Sequence, residues 1–313
     1  MKQMKLSIVL LALLLASQTF AQKDWSKVDF IKEFKGDKKI QGAVAKSLRE
    51  NPTFINDYEL SQSALMKGSS QAGTLQKQGV GSVFSEAVLA GVSPEALQAL
   101  SNELYQNFAS ELEKAGLKLT NGDALLQSKH ARGQKSGKNV FVGKADGNYI
   151  FEKVGMSDPM YYSIRERYIF RPDGINVFSS SKVTSGLFYQ KLASQENVNL
   201  ISISYRIDFA DFSGSHKGLS KNSLTTSGGL AIVPKISIVN PKGSYSWLVF
   251  KENIYGNNDW ATGLVKKKSN DGSYFGLSSN ADYAVVADEA KYIDEIRSII
   301  LNLQKDIVRF LME

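Results

Sequence analysis

No cysteine occurs anywhere in the 313 residues. That excludes disulfides, thiolate nucleophiles, thiolate metal sites and a lipid-bearing amino-terminal cysteine, so the fold must rest on its core. Histidine is almost as scarce: His130 and His216 stand alone, each in a Gly- and Lys-rich stretch without an acid at useful spacing, and no metal site is expected. Ser185 and Gly186 are not part of a GxSxG elbow, which leaves a serine hydrolase without support. The Gly-rich stretch from Lys67 to Gly81 has neither GxGxxG spacing nor a closing Lys-Ser or Lys-Thr pair, so it reads as a linker and no nucleotide cofactor is implied. Gly256-Asn-Asn-Asp259 and Asn270-Asp-Gly272 lack the later Glu and the alternating acids of a calcium loop, and read as turns. Beyond the first 21 residues no apolar run approaches the roughly 20 residues that span a bilayer, so no transmembrane helix is expected in the mature chain.

Those first residues have their own order. Lys2 and Lys5 precede a run from Leu6 to Ala16 that is apolar apart from Ser7, and Thr19 and Ala21 are small residues placed for cleavage before Gln22. This is the pattern of a Sec-type signal peptide over 1–21, which predicts export to the periplasm or the medium, not as a lipoprotein. Without Lys2 and Lys5 the formal charge falls from +7 to about +5, too mild to name a partner by itself.

The strongest pattern runs from Asn199 to Phe212. Ile201, Ile203, Tyr205, Ile207 and Phe209 alternate with Ser202, Ser204, Arg206 and Asp208, the period of a half-buried strand. Ile201 to Phe209 would span about 30 Å, long enough for a central strand. Earlier, 22–50 is Lys-rich and loosely amphipathic, predicting one or two short helices, and Phe54 to Leu65 and Val83 to Leu89 read as strands. Ser93-Pro-Glu95 is a helix start, Leu97, Leu100, Leu104, Phe108 and Leu112 form one apolar face, and Gly116 can end the helix in a left-handed turn. Leu117-Lys-Leu119 predicts a short strand, and Thr120 or Asn121 can cap a further helix through Leu126.

Residues 129–182 differ in character, with ten Lys or Arg, five Asp or Glu, and dense aromatics. Arg171-Pro-Asp-Gly174 between two apolar alternations predicts a hairpin. The segment is expected to be a basic, aromatic β insertion projecting from a core domain at 51–128 and 183–313. Thr184 to Gln195 reads as a helix. Leu230 to Val239 and Tyr245 to Phe250 read as a hairpin across Asn240 to Gly243, with Pro234 marking an edge or a bulge. Tyr283 to Ala287 is a last strand, and Asp288 caps a helix whose stripe of Tyr292, Ile296, Ile299, Ile300, Leu303, Ile307 and Phe310 should cover the sheet, leaving Gln304 elsewhere. The expected fold is α+β or α/β, a mixed sheet flanked by helices.

Ser93-Pro-Glu-Ala-Leu97 through Leu112, Glu113-Lys-Ala-Gly116, Leu117-Lys-Leu119 and Asn121-Gly-Asp-Ala-Leu-Leu126 are similar in element order to the α/β domain shared by curli-secretion outer-membrane proteins and the amino-terminal domain of the Tol translocation protein. The likeness covers about half of the mature chain. It implies an envelope-associated accessory or assembly role. This chain departs from the curli type in having no cysteine to carry lipid, and 129–182 is too charged and broken for membrane strands.

Three functions are open at this point. The leading one is an exported, non-enzymatic binding or accessory protein contacting its partner through Tyr161, Tyr162, Arg165, Arg167 and Arg171, the partner being an envelope protein or an anionic polysaccharide or lipid headgroup, not nucleic acid. The second is an oligomeric outer-membrane secretion or assembly component. The third is an exported hydrolase, which needs a polar pocket gathering Asp208, Asp211, His216 and Asp259. Asp208 and Asp211 lie three apart, a spacing that puts them on opposite faces of a regular strand and argues against paired carboxylates.

Overall fold

The computed structural model describes residues 25–35, 38–70, 83–120, 125, 140–144, 152–154, 160–175, 185–217, 221–250, 253–266 and 282–312. In chain order the strands are β1 (Phe34–Lys35), β2 (Thr53–Ser70), β3 (Val83–Ala90), β4 (Val140–Lys144), β5 (Glu152–Val154), β6 (Met160–Phe170), β7 (Asn199–Lys217), β8 (Lys221–Val239), β9 (Tyr245–Phe250), β10 (Ile254–Tyr255), β11 (Ala261–Lys266) and β12 (Tyr283–Ala287). The helices are α1 (Lys38–Glu50), α2 (Pro94–Lys114), α3 (Ser185–Glu196) and α4 (Glu289–Met312). All twelve strands join one mixed sheet whose main path runs β1-β9-β8-β7-β2-β3-β12-β11. The signal peptide and the proposed helix from Asn121 lie outside the described residues, apart from a helical Leu125.

β7 is central, as its alternation predicts: Ile201, Ile203, Tyr205, Ile207 and Phe209 are all buried. Its start pairs in parallel with β2 from Thr53 to Gln62, and its whole length pairs antiparallel with β8. β2 changes partners along its length. Past Gln62 it pairs with β3 on one edge, and from Leu60 onward with β6 on the other. The strand at 160–170, expected in a projecting insertion, is therefore hydrogen-bonded into the main sheet.

One face of the sheet is roofed by α2 and α4. Ser93 caps α2 by accepting from the Ala96 N–H at 3.2 Å, and Gly116 ends it at φ 89°. Asp288 caps α4 at the Lys291 N–H, 3.2 Å away. Their apolar stripes pack on Tyr58, Leu60, Ile203, Tyr205, Ile207, Ile236 and Leu248 to form the core. Gln304 belongs to this interior rather than to a solvated face. It donates to the Tyr58 hydroxyl at 2.8 Å and the Leu104 carbonyl at 3.0 Å, and accepts from Asn107 at 2.7 Å. A buried amide persists only when paired in this way.

The amino-terminal stretch is two short 3₁₀ turns and α1, and Trp25 and Phe30 insert against α4. Pro234 sits between Lys235, where β9 pairing ends, and Ile232, where β10 pairing begins, so its missing N–H costs no ladder bond. No helix among the described residues is long and apolar enough to cross a membrane.

Candidate binding face and cleft

Residues directly opposite in a ladder share a face, so the register defines what the other side of the sheet presents. α3 covers its first row, where Leu192 and Ala193 pack on Phe54, Leu200 and Val239. Beyond that row come Trp247, Ser237, Ser202 and Asp57; then Lys235, Ser204 and Glu59; then Val233, Arg206 and Ser61; then Tyr255, Ala231, Asp208 and Ser63. Two large aromatics stand out from this polar outer face, Trp247 at 58% and Tyr255 at 60% exposure. The Trp247 ring meets Tyr245 edge-on at 5.0 Å and carries the Lys235 ammonium 5.8 Å from its centre.

Arg171 crosses the end of this face. Its Nε donates to Asp57 Oδ1 at 3.0 Å and its Nη2 to Glu59 Oε1. Burial, then the adjacent Asp57 carboxylate, push the Glu59 carboxyl up to about 7, against the charges of Arg171 and Arg167. The turn that positions Arg171 is itself docked on α2: the Asp173 N–H donates to Asn102 Oδ1 at 2.8 Å, and Gln98 donates to the Arg171 carbonyl at 2.7 Å. Of the five proposed contact residues, Arg171 is thus engaged by two carboxylates and Arg167 lies on β6 opposite Ser63. Tyr161, Tyr162 and Arg165 are on β6, but their side chains fall outside the described residues, as does the strand expected after Gly174.

A cleft of about 300 Å³ opens where the β7–β8 ladder is interrupted. Between Asp208 and Ala210 the β7–β8 register shifts: β7 advances two residues while β8 advances three, from Ala231 to Gly228, so Gly229 and Leu230 form a bulge on β8. At this bulge the two aspartates expected on opposite faces both line one cleft, together with Ala210 and Phe212 of β7 and with Gly229, Tyr255 and Asn258 around them. Asp208 is buried, receives the Ser63 hydroxyl at 2.7 Å, and faces Arg206 Nε at 3.2 Å, so its charge is balanced within the sheet. Asp211 and Asn258 are exposed. A Cβ at Gly256 would stand 2.7 Å from Leu230 Cδ2, so only glycine lets this wall close on β8.

Trp260 and Glu295 hold the 254–258 wall. The fully buried Trp260 donates from Nε1 to the Asn257 carbonyl at 2.9 Å. Glu295 Oε1 on α4 accepts from the Asn257 N–H at 2.9 Å and from Trp25 Nε1 at 2.6 Å. Glu295→Ala orphans both donors; it should cost about 2 kcal/mol in urea denaturation and speed amide exchange selectively at 254–258. Exchange unchanged there would remove Glu295 as the anchor of the wall.

The four residues a hydrolase would gather are only half assembled. Asp208 and Asp211 share the cleft, Asp259 is an exposed turn residue one position past Asn258, and His216 lies five residues beyond Asp211 along β7, roughly 17 Å at strand rise. Among the described residues no three His, Asp or Glu side chains converge on a point that would hold a metal. What the cleft offers is hydrogen-bond acceptors beside an aromatic ring. Comparison with protein-family models, curated proteins and solved structures finds no match for this chain.

Proposed function

We propose that this chain is an exported, non-enzymatic binding or accessory protein of the cell envelope, which engages its partner through the outer face of the sheet. The observation that carries the reading is the asymmetry of that sheet. One side is sealed by two long helices, while the other displays ordered ion pairs, serine hydroxyls, a cleft and two solvent-facing aromatic rings. The leader at 1–21 supports the compartment, and the likeness to curli-secretion and Tol domains supports an accessory role.

Cross-linking in the native host, followed by purification of the wild type and of a Trp247→Ala, Tyr255→Ala double variant, tests it. The mature chain should begin at Gln22 outside the cytoplasm. Its main cross-linked partner should disappear in the double variant while the melting temperature stays within a few degrees. A partner retained in full, or a chain kept in the cytoplasm, refutes the proposal.

A second reading, an oligomeric secretion or assembly component, draws on β11. It ends the main path of the sheet, pairs with β12 alone among the described strands, and leaves Leu264 and Val265 exposed at 41% and 53%. Light scattering of the purified mature protein decides it: a monomer at tens of micromolar removes this alternative.

A further inference from the structure

The cleft carries a more specific assignment, which rests on the binding role just proposed. Its volume is near the lower end of small-ligand sites, enough for one ring rather than a folded segment. Its polar side-chain groups are the carboxylates of Asp208 and Asp211, which accept, and Asn258, whose Oδ1 takes the Leu230 N–H at 3.3 Å and whose amide NH2 is a donor. Asp208 already has Arg206 and Ser63 as partners, so the site does not hold two uncompensated charges waiting for a cation. Asp211 in turn repels a phosphate, a sulfate or a uronate. The matching ligand is uncharged and rich in hydroxyl donors. It also has an apolar side, because Tyr255 offers an exposed aromatic ring at the mouth. A pyranose ring has both properties, with C–H bonds over one face and hydroxyls around its rim.

The rest of the outer face extends the same chemistry. Tyr255 and Trp247 flank β8 at Ala231 and Ser237, six residues apart, which is about 20 Å at strand rise. Between the two lie Lys235 and Val233, with Ser204 and Arg206 opposite them on β7 and Ser202 opposite Ser237; Arg206 is turned to Asp208. Two separated rings on one polar sheet face suit a linear chain of sugars better than a single one.

We propose that the cleft seats one sugar ring of a neutral glycan, with Tyr255 stacking on the ring, Asp208 and Asp211 accepting from its hydroxyls and the Asn258 amide donating to a sugar oxygen, and that the glycan runs along the sheet toward Trp247. Calorimetric titration of the mature protein tests this with neutral probes, namely oligomers of N-acetylglucosamine, of β-linked glucose and of mannose. Polygalacturonate and calcium chloride are the charged comparators. At least one neutral series should bind saturably. Tyr255→Ala should weaken it about tenfold or more, whereas Tyr255→Phe, which keeps the ring, should bind within about twofold of wild type. Trp247→Ala should weaken the longer oligomers and spare the shortest. No binding of any neutral probe at millimolar concentration, binding indifferent to Tyr255→Ala, or binding of the charged comparators alone overturns the assignment. If the glycans fail while a cross-linked protein partner still depends on Trp247 and Tyr255, the glycan is wrong and the binding role stands.

Discussion

Arg171→Met is expected to destabilise the protein by about 2–3 kcal/mol at pH 8, because it leaves Asp57 and Glu59 facing each other with no counter-charge between them. Arg171 is only 16% exposed, so solvent screens the loss weakly. The deficit should also depend on pH, and its sign follows from Glu59. The folded-state value of that carboxyl, about 7, lies above its ordinary 4.5. Its contribution to stability is therefore fully present below about pH 4.5 and is lost as the pH rises through 7. Removing Arg171 takes away a charge that lowers this value, so protonation of Glu59 can substitute for the guanidinium in acid. Urea denaturation should then show a clearly smaller loss at pH 5 than at pH 8, and Arg171→Met combined with Glu59→Gln should recover much of the loss at pH 8. Equal losses at the two pH values would mean that the three charges do not act as a unit. A strong effect on folding also separates the two roles open to this residue, since a pure contact residue would change binding alone.

The second large effect is at Trp260. Trp260→Ala should cost about 3–5 kcal/mol, the range for emptying a fully enclosed aromatic site. The indole packs edge-on against Tyr292 with centroids 4.7 Å apart and also fixes the carbonyl of Asn257. Trp260→Phe keeps most of the packing but gives up the N–H bond, so a loss nearer 1 kcal/mol is expected. Both variants should loosen the cleft wall. Amide exchange at Ile254, Tyr255 and Gly256 should accelerate more than exchange in β7, and uniform acceleration would show that Trp260 supports the whole fold rather than this wall.

Much of the architecture was legible in the sequence because the relevant signals are local. The alternation from Ile201 to Phe209 identifies β7, and Ser93, Gly116 and Asp288 mark the ends of the two roofing helices through capping chemistry that needs no tertiary knowledge. The cleft was not legible, because it arises from an irregularity in the pairing of β7 with β8, not from any pattern along β7. β8 supplies an extra residue between Ala231 and Gly228, opposite the step from Asp208 to Ala210, and only the pairing of the two strands reveals it.

Trp260 follows Gly256-Asn-Asn-Asp259, whose turn chemistry gives no sign that the next side chain is buried. What buries it is the distant Tyr292. Gln304 deceived for a similar reason. Its polarity suggested solvent, whereas its amide is satisfied by Tyr58, Leu104 and Asn107, groups about 200 or more positions away in sequence. β11 was missed outright, since Ala261-Thr-Gly-Leu-Val-Lys266 faces water throughout and shows no buried parity to detect.

The exchange of partners along β2 bears on how the protein is made. Its opening half runs beside a segment almost 150 positions later in the polypeptide. A chain that emerges amino-terminus first therefore leaves the β7-facing edge of β2, from Thr53 to Gln62, unpaired until residue 207 has followed. Such distant closure slows folding and lengthens the interval in which newly made molecules can stick to one another.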